Sequence, residues 1–157
     1  MMKSKQWYSR KSKDIYIKKA LKLGYVSRSA FKMIEIENKF NLIKSSNSII
    51  ELGSSPGGWT QVILDLKKNH NYKLICIDKN DLDISLNNKF LFIKEDFKNI
   101  EKIESKIISY YNKNFNLILS DMSPNTIGHS KTDHLRIVQL AEDILNFSNK
   151  FLLANGY

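Results

Sequence analysis

Three acids in this chain, Asp78, Asp96 and Asp121, each stand at or just after the end of a short apolar run. A fourth such run leads into Glu51-Leu52-Gly53-Ser54-Ser55-Pro56-Gly57-Gly58-Trp59. Together these residue types make a site for a polar ligand. Glycines at 53, 57 and 58 permit positive φ and close backbone approach. A helix beginning near Thr60 would point its positive end back at the turn, where a carboxylate or phosphate is stabilised. Asp78 falls 21 residues after Gly57, a separation at which an acid commonly accepts hydrogen bonds from ribose hydroxyls. Singly, each acid is as ordinary as a solvated turn residue or a helix cap. Their joint placement after a glycine turn carries the reading.

Such a rim needs a sheet beneath it. The apolar runs at 48 to 52, 73 to 77, 90 to 93 and 116 to 120 read as short buried strands, and helical spacing marks 60 to 68, about 98 to 111 and about 133 to 153. Two further helices are expected ahead of the first strand, at 14 to 23 and 29 to 40, with Gly24 ending one and Ser29 capping the other. Strand and helix in alternation predict a parallel sheet covered on both faces, with ligands at the carboxyl ends of the strands. The expected fold is α/β, a Rossmann-like three-layer sandwich with a mainly parallel sheet, which a family resemblance implies is missing its last strands.

The turn also excludes ligands. It lacks the G-x-G-x-x-G of dinucleotide enzymes and the Gly-Lys-Ser/Thr of a P-loop. Glu51-x-Gly53-x-x-x-Gly57 with acids at the following strand ends instead suits a nucleoside carrying an amino-acid tail, and S-adenosylmethionine has that shape, an assignment that rests partly on a family resemblance. Its carboxylate would meet the turn N–H groups, its ribose Asp78, its adenine the Asp96 region, and its sulfonium and amino group the vicinity of Asp121. An enzyme methylating base amino groups commonly places adjacent prolines and an aromatic after the fourth strand; Asp121-Met122-Ser123-Pro124 has neither.

Charge is concentrated at one end. Of 25 Lys and Arg in 157 residues, ten lie within residues 1 to 32 against the single acid Asp14, so this segment holds the whole net charge of +9. Aromatics at Trp7, Tyr8, Tyr16, Tyr25 and Phe31 interleave with Arg10, Lys11, Lys18, Lys19, Lys22 and Arg28. Basic groups and stacking rings together point to RNA or DNA; a solvated helix face or a basic presequence remains open from charge alone. With 42% hydrophobic and 26% charged residues the chain suits one globular domain. No membrane span or secretory signal is expected. The lone Cys76 has the setting of a small buried strand residue. His70, His129 and His134 lack metal-ligand spacing, so no metal is expected; the segment 128–134 reads as a helix cap.

Four blocks then match one family in order: Ser27-Arg28-Ser29-Ala30-Phe31-Lys32, Leu52 through Trp59, Asp96-Phe97, and Ser120-Asp121-Met122-Ser123-Pro124-Asn125. The chain resembles the FtsJ/RrmJ family of RNA ribose 2′-O-methyltransferases from about Trp7 to its last residue. The resemblance implies a class I methyltransferase fold, S-adenosylmethionine as cofactor, and a uridine ribose of large-subunit rRNA as acceptor. It implies cofactor contacts from Gly53, Ser54, Ser55, Pro56, Gly57, Gly58, Trp59, Asp78, Asp96 and Asp121. It assigns Lys32 and Asp121 to the first two places of a Lys-Asp-Lys-Glu catalytic set; on spacing alone Lys32 is a surface lysine of an amphipathic helix. Residues 1–40 are expected to form a basic RNA-binding arm and 41–157 the cofactor domain.

The second lysine and the glutamate of that set would fall after Tyr157, and Lys150, on the preceding helix, is no substitute. The expectation is therefore a truncated enzyme with weak cofactor binding, little or no turnover and marginal stability. Its alternatives are a catalytically silent RNA-binding or ribosome-assembly module and a tRNA 2′-O-methyltransferase. A monomer is expected, in a bacterial-type cytoplasm or alternatively in a mitochondrion or other organelle.

Overall fold

The computed structural model describes residues 15–85 and 89–157. Two helices come first, α1 (Ile15–Lys22) and α2 (Ser29–Phe40), then a single turn, α3 (Leu42–Ser45). There follow β1 (Ser48–Leu52), α4 (Gly58–Leu66), β2 (Lys73–Asp78), β3 (Leu91–Lys94), α5 (Ile100–Tyr110), β4 (Leu117–Ser120) and α6 (Ser130–Phe151). The strands form one parallel sheet in the order β3-β2-β1-β4. Parallel strands need crossovers; α4 links β1 to β2 and α5 links β3 to β4.

Strand β1 is buried at all five positions because it is paired on both edges and covered on both faces. Its period-two alternation separates the core into two layers. Ile49 packs with Ala30, Met33, Ile43, Trp59, Val62 and Ile63, the helices α2 to α4. Ile50 and Leu52 pack on the opposite face with Ile103, Ile107, Phe147 and Phe151 of α5 and α6. Truncating Ile50, fully buried, to alanine would cost about 2–5 kcal/mol.

Several boundaries depart from the sequence reading for local reasons. Helix α4 begins at Gly58 rather than near Thr60, since Gly57, at φ 116°, makes the entry turn. Ser29 is not the cap of α2: it is the first helical residue, Arg28 holds the cap position with no side-chain cap, and the Ser29 hydroxyl bonds that of Ser27 at 2.6 Å. Helix α3 was not expected, because one turn carries no period to read. It exists because Asn41 takes the left-handed conformation, φ 53°, and the buried Glu37 carboxylate accepts from the N–H groups of Ile43 (2.7 Å) and Lys44 (3.2 Å).

Gly24, φ 81°, follows α1 as expected. His129 caps α6, Nδ1 accepting from the Thr132 N–H at 3.4 Å, and the Asp133 carboxylate accepts from the N–H groups of Ile127 and Gly128. Beyond α6 the backbone runs beside β4: Phe115 bridges Leu152, and the Ile118 N–H donates to the Tyr157 carbonyl at 2.8 Å. Leu135, Ile137, Val138 and Leu145 of α6 stand exposed. Among the described residues no helix is long and apolar enough to cross a membrane.

Candidate cofactor and active site

The register places the predicted acids on one rim. Leu52 lies opposite Ile77 and Ser120, and Asp78 opposite Lys94, so Asp78, Asp96 and Asp121 leave the sheet at the same end as the glycine turn. The strand order reverses between β1 and β4 at that end, where open α/β sheets form their ligand crevice.

Within the turn the N–H groups divide into two sets. Those of Gly53 and Ser54 both donate to the Ile77 carbonyl, at 2.9 and 3.2 Å, and that of Ser55 donates to Asp78 Oδ2 at 3.0 Å. These brace the turn against β2. The first intrahelical bond of α4 is from the Gln61 N–H to the Gly57 carbonyl, so the N–H groups of residues 58–60 precede any helical acceptor and form the anion-facing end. The Ser55–Pro56 peptide is cis, and the Pro56 carbonyl accepts from the Asp83 N–H at 2.8 Å. The Ser54 hydroxyl is buried without a partner.

The three glycines serve close approach of the protein to itself. A Cβ on Gly53, φ 77°, would stand 2.7 Å from Met122 Cγ, one on Gly57 3.0 Å from Ile84, and one on Gly58 would collide with the Ser27 hydroxyl. Met122, Ile84 and Ser27 are thus seated on the turn.

Asp78, half-buried, also accepts from the Asn80 N–H at 2.8 Å. Asp96 begins the entry to α5, its carboxylate accepting from the Lys98 N–H at 3.0 Å. Asp121 is tied by its own N–H to the Leu52 carbonyl, and its carboxylate meets the Lys32 ammonium at 2.7 Å. With side chains 60% and 34% exposed, this pair contributes about 0–1 kcal/mol. Its value is in placement.

The Trp59 side chain is buried against α2: its Nε1–H donates to the Ser29 carbonyl at 2.9 Å. Lys150, by contrast, pairs with Glu104 of α5 at 2.6 Å. Lys18, Lys19, Lys22 and Arg28 are exposed on α1 and the entry to α2. Lys19 Nζ lies 5.3 Å from the Phe31 ring, which Tyr16 and Tyr25 meet edge-on. Arg10 and Lys11 lie outside the described residues. Among those residues no cluster of His, Cys, Asp and Glu could hold a metal.

One group gained importance only from the structure. Glu51 is buried beneath the turn, accepting hydrogen bonds from the Thr60 hydroxyl at 2.7 Å and the Cys76 thiol at 3.5 Å. Burial pushes its carboxyl up to about 7; the two hydrogen bonds oppose this and nearby Asp121 and Asp78 add to it. An acid inside an apolar strand run was the signal. Burial and Glu51 also push the Cys76 thiol up, in keeping with a structural cysteine.

S-adenosylmethionine fits this donor set: free helical N–H groups and the unpartnered Ser54 hydroxyl for its amino-acid end, and strand-end acids with spare lone pairs for its hydroxyls and cationic groups. The chain is 39% identical over 98% of its length to a ribosomal RNA large subunit methyltransferase E from Acidiphilium cryptum, covering 65% of that protein. It is 38% identical over 99% of its length to the Ehrlichia chaffeensis protein of the same name, covering 72%. The chain thus spans about two thirds of the length of such relatives. The crystal structure of a protein described as a ribosomal RNA methyltransferase from Plasmodium falciparum superposes with a TM-score of 0.77 at 33% identity, covering 84% of this chain and 75% of that one. The model of FtsJ-like methyltransferases matches residues 25–157, and the chain belongs to that family.

Proposed function

We propose that this chain binds S-adenosylmethionine at the β1–α4 turn and serves transfer of its methyl group to a ribose 2′-hydroxyl of RNA, a uridine of large-subunit rRNA. The observation that carries the reading is the Lys32–Asp121 pair, residues 89 positions apart brought to 2.7 Å at the mouth of the crevice. Bound there, the cofactor supplies an electrophilic methyl on a sulfonium. A neutral hydroxyl is a poor nucleophile, and it loses its proton as the O–C bond forms and the C–S bond breaks. Lys32 polarises that oxygen and stabilises its developing negative charge. Asp121 holds the ammonium in place and offsets the sulfonium charge. Lys18, Lys19, Lys22 and Arg28 draw the RNA backbone toward the same end of the molecule. The Lys32 and Asp121 side chains are 60% and 34% exposed, so the released proton passes to solvent.

The test uses methyl-labelled S-adenosylmethionine with unmodified large-subunit rRNA and protein in excess, followed by digestion to nucleosides. Label is expected in 2′-O-methyluridine and lost in Lys32→Ala. Label on a base contradicts the reading. RNA and cofactor binding with no label would instead favour a silent RNA-binding module.

A further inference from the structure

The first turn of α4 faces two ways. Its N–H groups lie at the cofactor turn, while its side chains seat the segment that presents Lys32. Gly58 sits directly under the hydroxyls of Ser27 and Ser29. The Gln61 side chain is held at both ends, Nε2 donating to the Gly24 carbonyl at 2.9 Å and Oε1 accepting from the Val26 N–H at 2.8 Å. Between them, Trp59 donates its indole N–H to the Ser29 carbonyl, and Lys32 Nζ lies 5.3 Å from the indole centroid.

Ser29 and Lys32 are three residues apart on α2 and share one helix face. Trp59, 4% exposed, touches that face at both, which orients its ring under the ammonium. A cation within about 6 Å of an indole face is attracted by the ring quadrupole. The Asp121 carboxylate gives the ammonium one partner, but a lysine on a flexible four-carbon stem is poorly fixed by one exposed ion pair. The indole supplies the second constraint.

We propose that Trp59 is a positioning residue for Lys32, so that one side chain registers the RNA-side lysine against the cofactor helix. This rests on the reading of Lys32 as the group that meets the ribose hydroxyl. The indole N–H is bonded to α2 and one ring face lies under Lys32, so the side chain serves the lysine while the Trp59 main chain stays with the turn.

Trp59→Phe and Trp59→Leu in the full chain, labelled with ε-¹³C lysine, test the assignment; Lys32→Ala identifies the Lys32 signal. In the wild type that signal should be displaced upfield by the indole ring current, less so in Trp59→Phe, and not at all in Trp59→Leu. Calorimetric affinity for S-adenosylmethionine should stay within about threefold in Trp59→Phe, while single-turnover methyl transfer falls about tenfold or more in Trp59→Leu from misplacement of the lysine. An undisplaced Lys32 signal in the wild type, or a loss of cofactor affinity of about tenfold or more in Trp59→Phe, overturns the proposal. Should Trp59→Leu fail to fold by circular dichroism, the wild-type and Trp59→Phe measurements decide it. A wild type that transfers no methyl defeats the functional reading alone, since the Lys32 signal still reports on Trp59.

Discussion

At the scale of single residues, Lys32 and Glu51 divide the chemistry between the mouth of the crevice and its floor. Lys32→Ala removes the polarising cation but no core contact. It should lower methyl transfer about 10²-fold or more with the melting temperature unchanged, and an equal rate in both proteins would contradict the role. Glu51 acts through its proton. Its folded value of about 7 lies above the ordinary 4.5, so between those pH values the folded chain keeps a proton that the unfolded chain releases. The associated stability is fully present below about pH 4.5 and lost as pH rises through 7, on the order of 3 kcal/mol. Urea midpoints at pH 5 and pH 8 should show that loss in the wild type and a smaller one in Glu51→Gln, which keeps an acceptor for Thr60. Identical losses in both would place the pH dependence elsewhere. Lys32 and Asp121 were assigned to one catalytic set through the family resemblance, with Asp121 expected to hold the lysine in register; the fold brings the two, 89 residues apart, to 2.7 Å.

The elements show where local pattern suffices and where it fails. All four strands were legible within a residue or so, because each is a short apolar run bounded by polar or glycine residues. Helix α3 and the Ser29 cap were misread, because one depends on a carboxylate from the preceding helix and the other on a hydroxyl two residues away. The glycines were legible as a turn, but their neighbours were not. This makes a contrast at two positions. Gly58→Ala drives a Cβ into Ser27 and Ser29 and should cost about 1–3 kcal/mol as overpacking. It should also move the Lys32 signal. Gly24, at φ 81° with open space around it, should cost only the left-handed strain of about 1–2 kcal/mol on going to alanine, with no effect on the site. Chemical denaturation of both variants checks this; a disturbed Lys32 signal in Gly24→Ala would contradict it.

Across the whole molecule, a basic entry segment feeds a parallel sheet whose carboxyl ends carry the site. RNA affinity should therefore fall with salt, and Lys18→Ala with Lys22→Ala should reduce the logarithmic salt slope by about 1.4 for single-stranded RNA, leaving cofactor affinity unchanged; an unaltered slope would move the RNA path elsewhere. Leu135, Ile137, Val138 and Leu145 give α6 an exposed apolar surface, and the hydrogen bonds of residues 152–157 along β4 were not legible because that segment has no strand period. Under the proposed function the turn and the strand-end acids form one cofactor site. Calorimetric titration of the chain with S-adenosylmethionine measures it most directly: one molecule should bind per chain, with affinity reduced about tenfold or more in Asp78→Ala. No saturable binding, or binding indifferent to Asp78, would contradict the account.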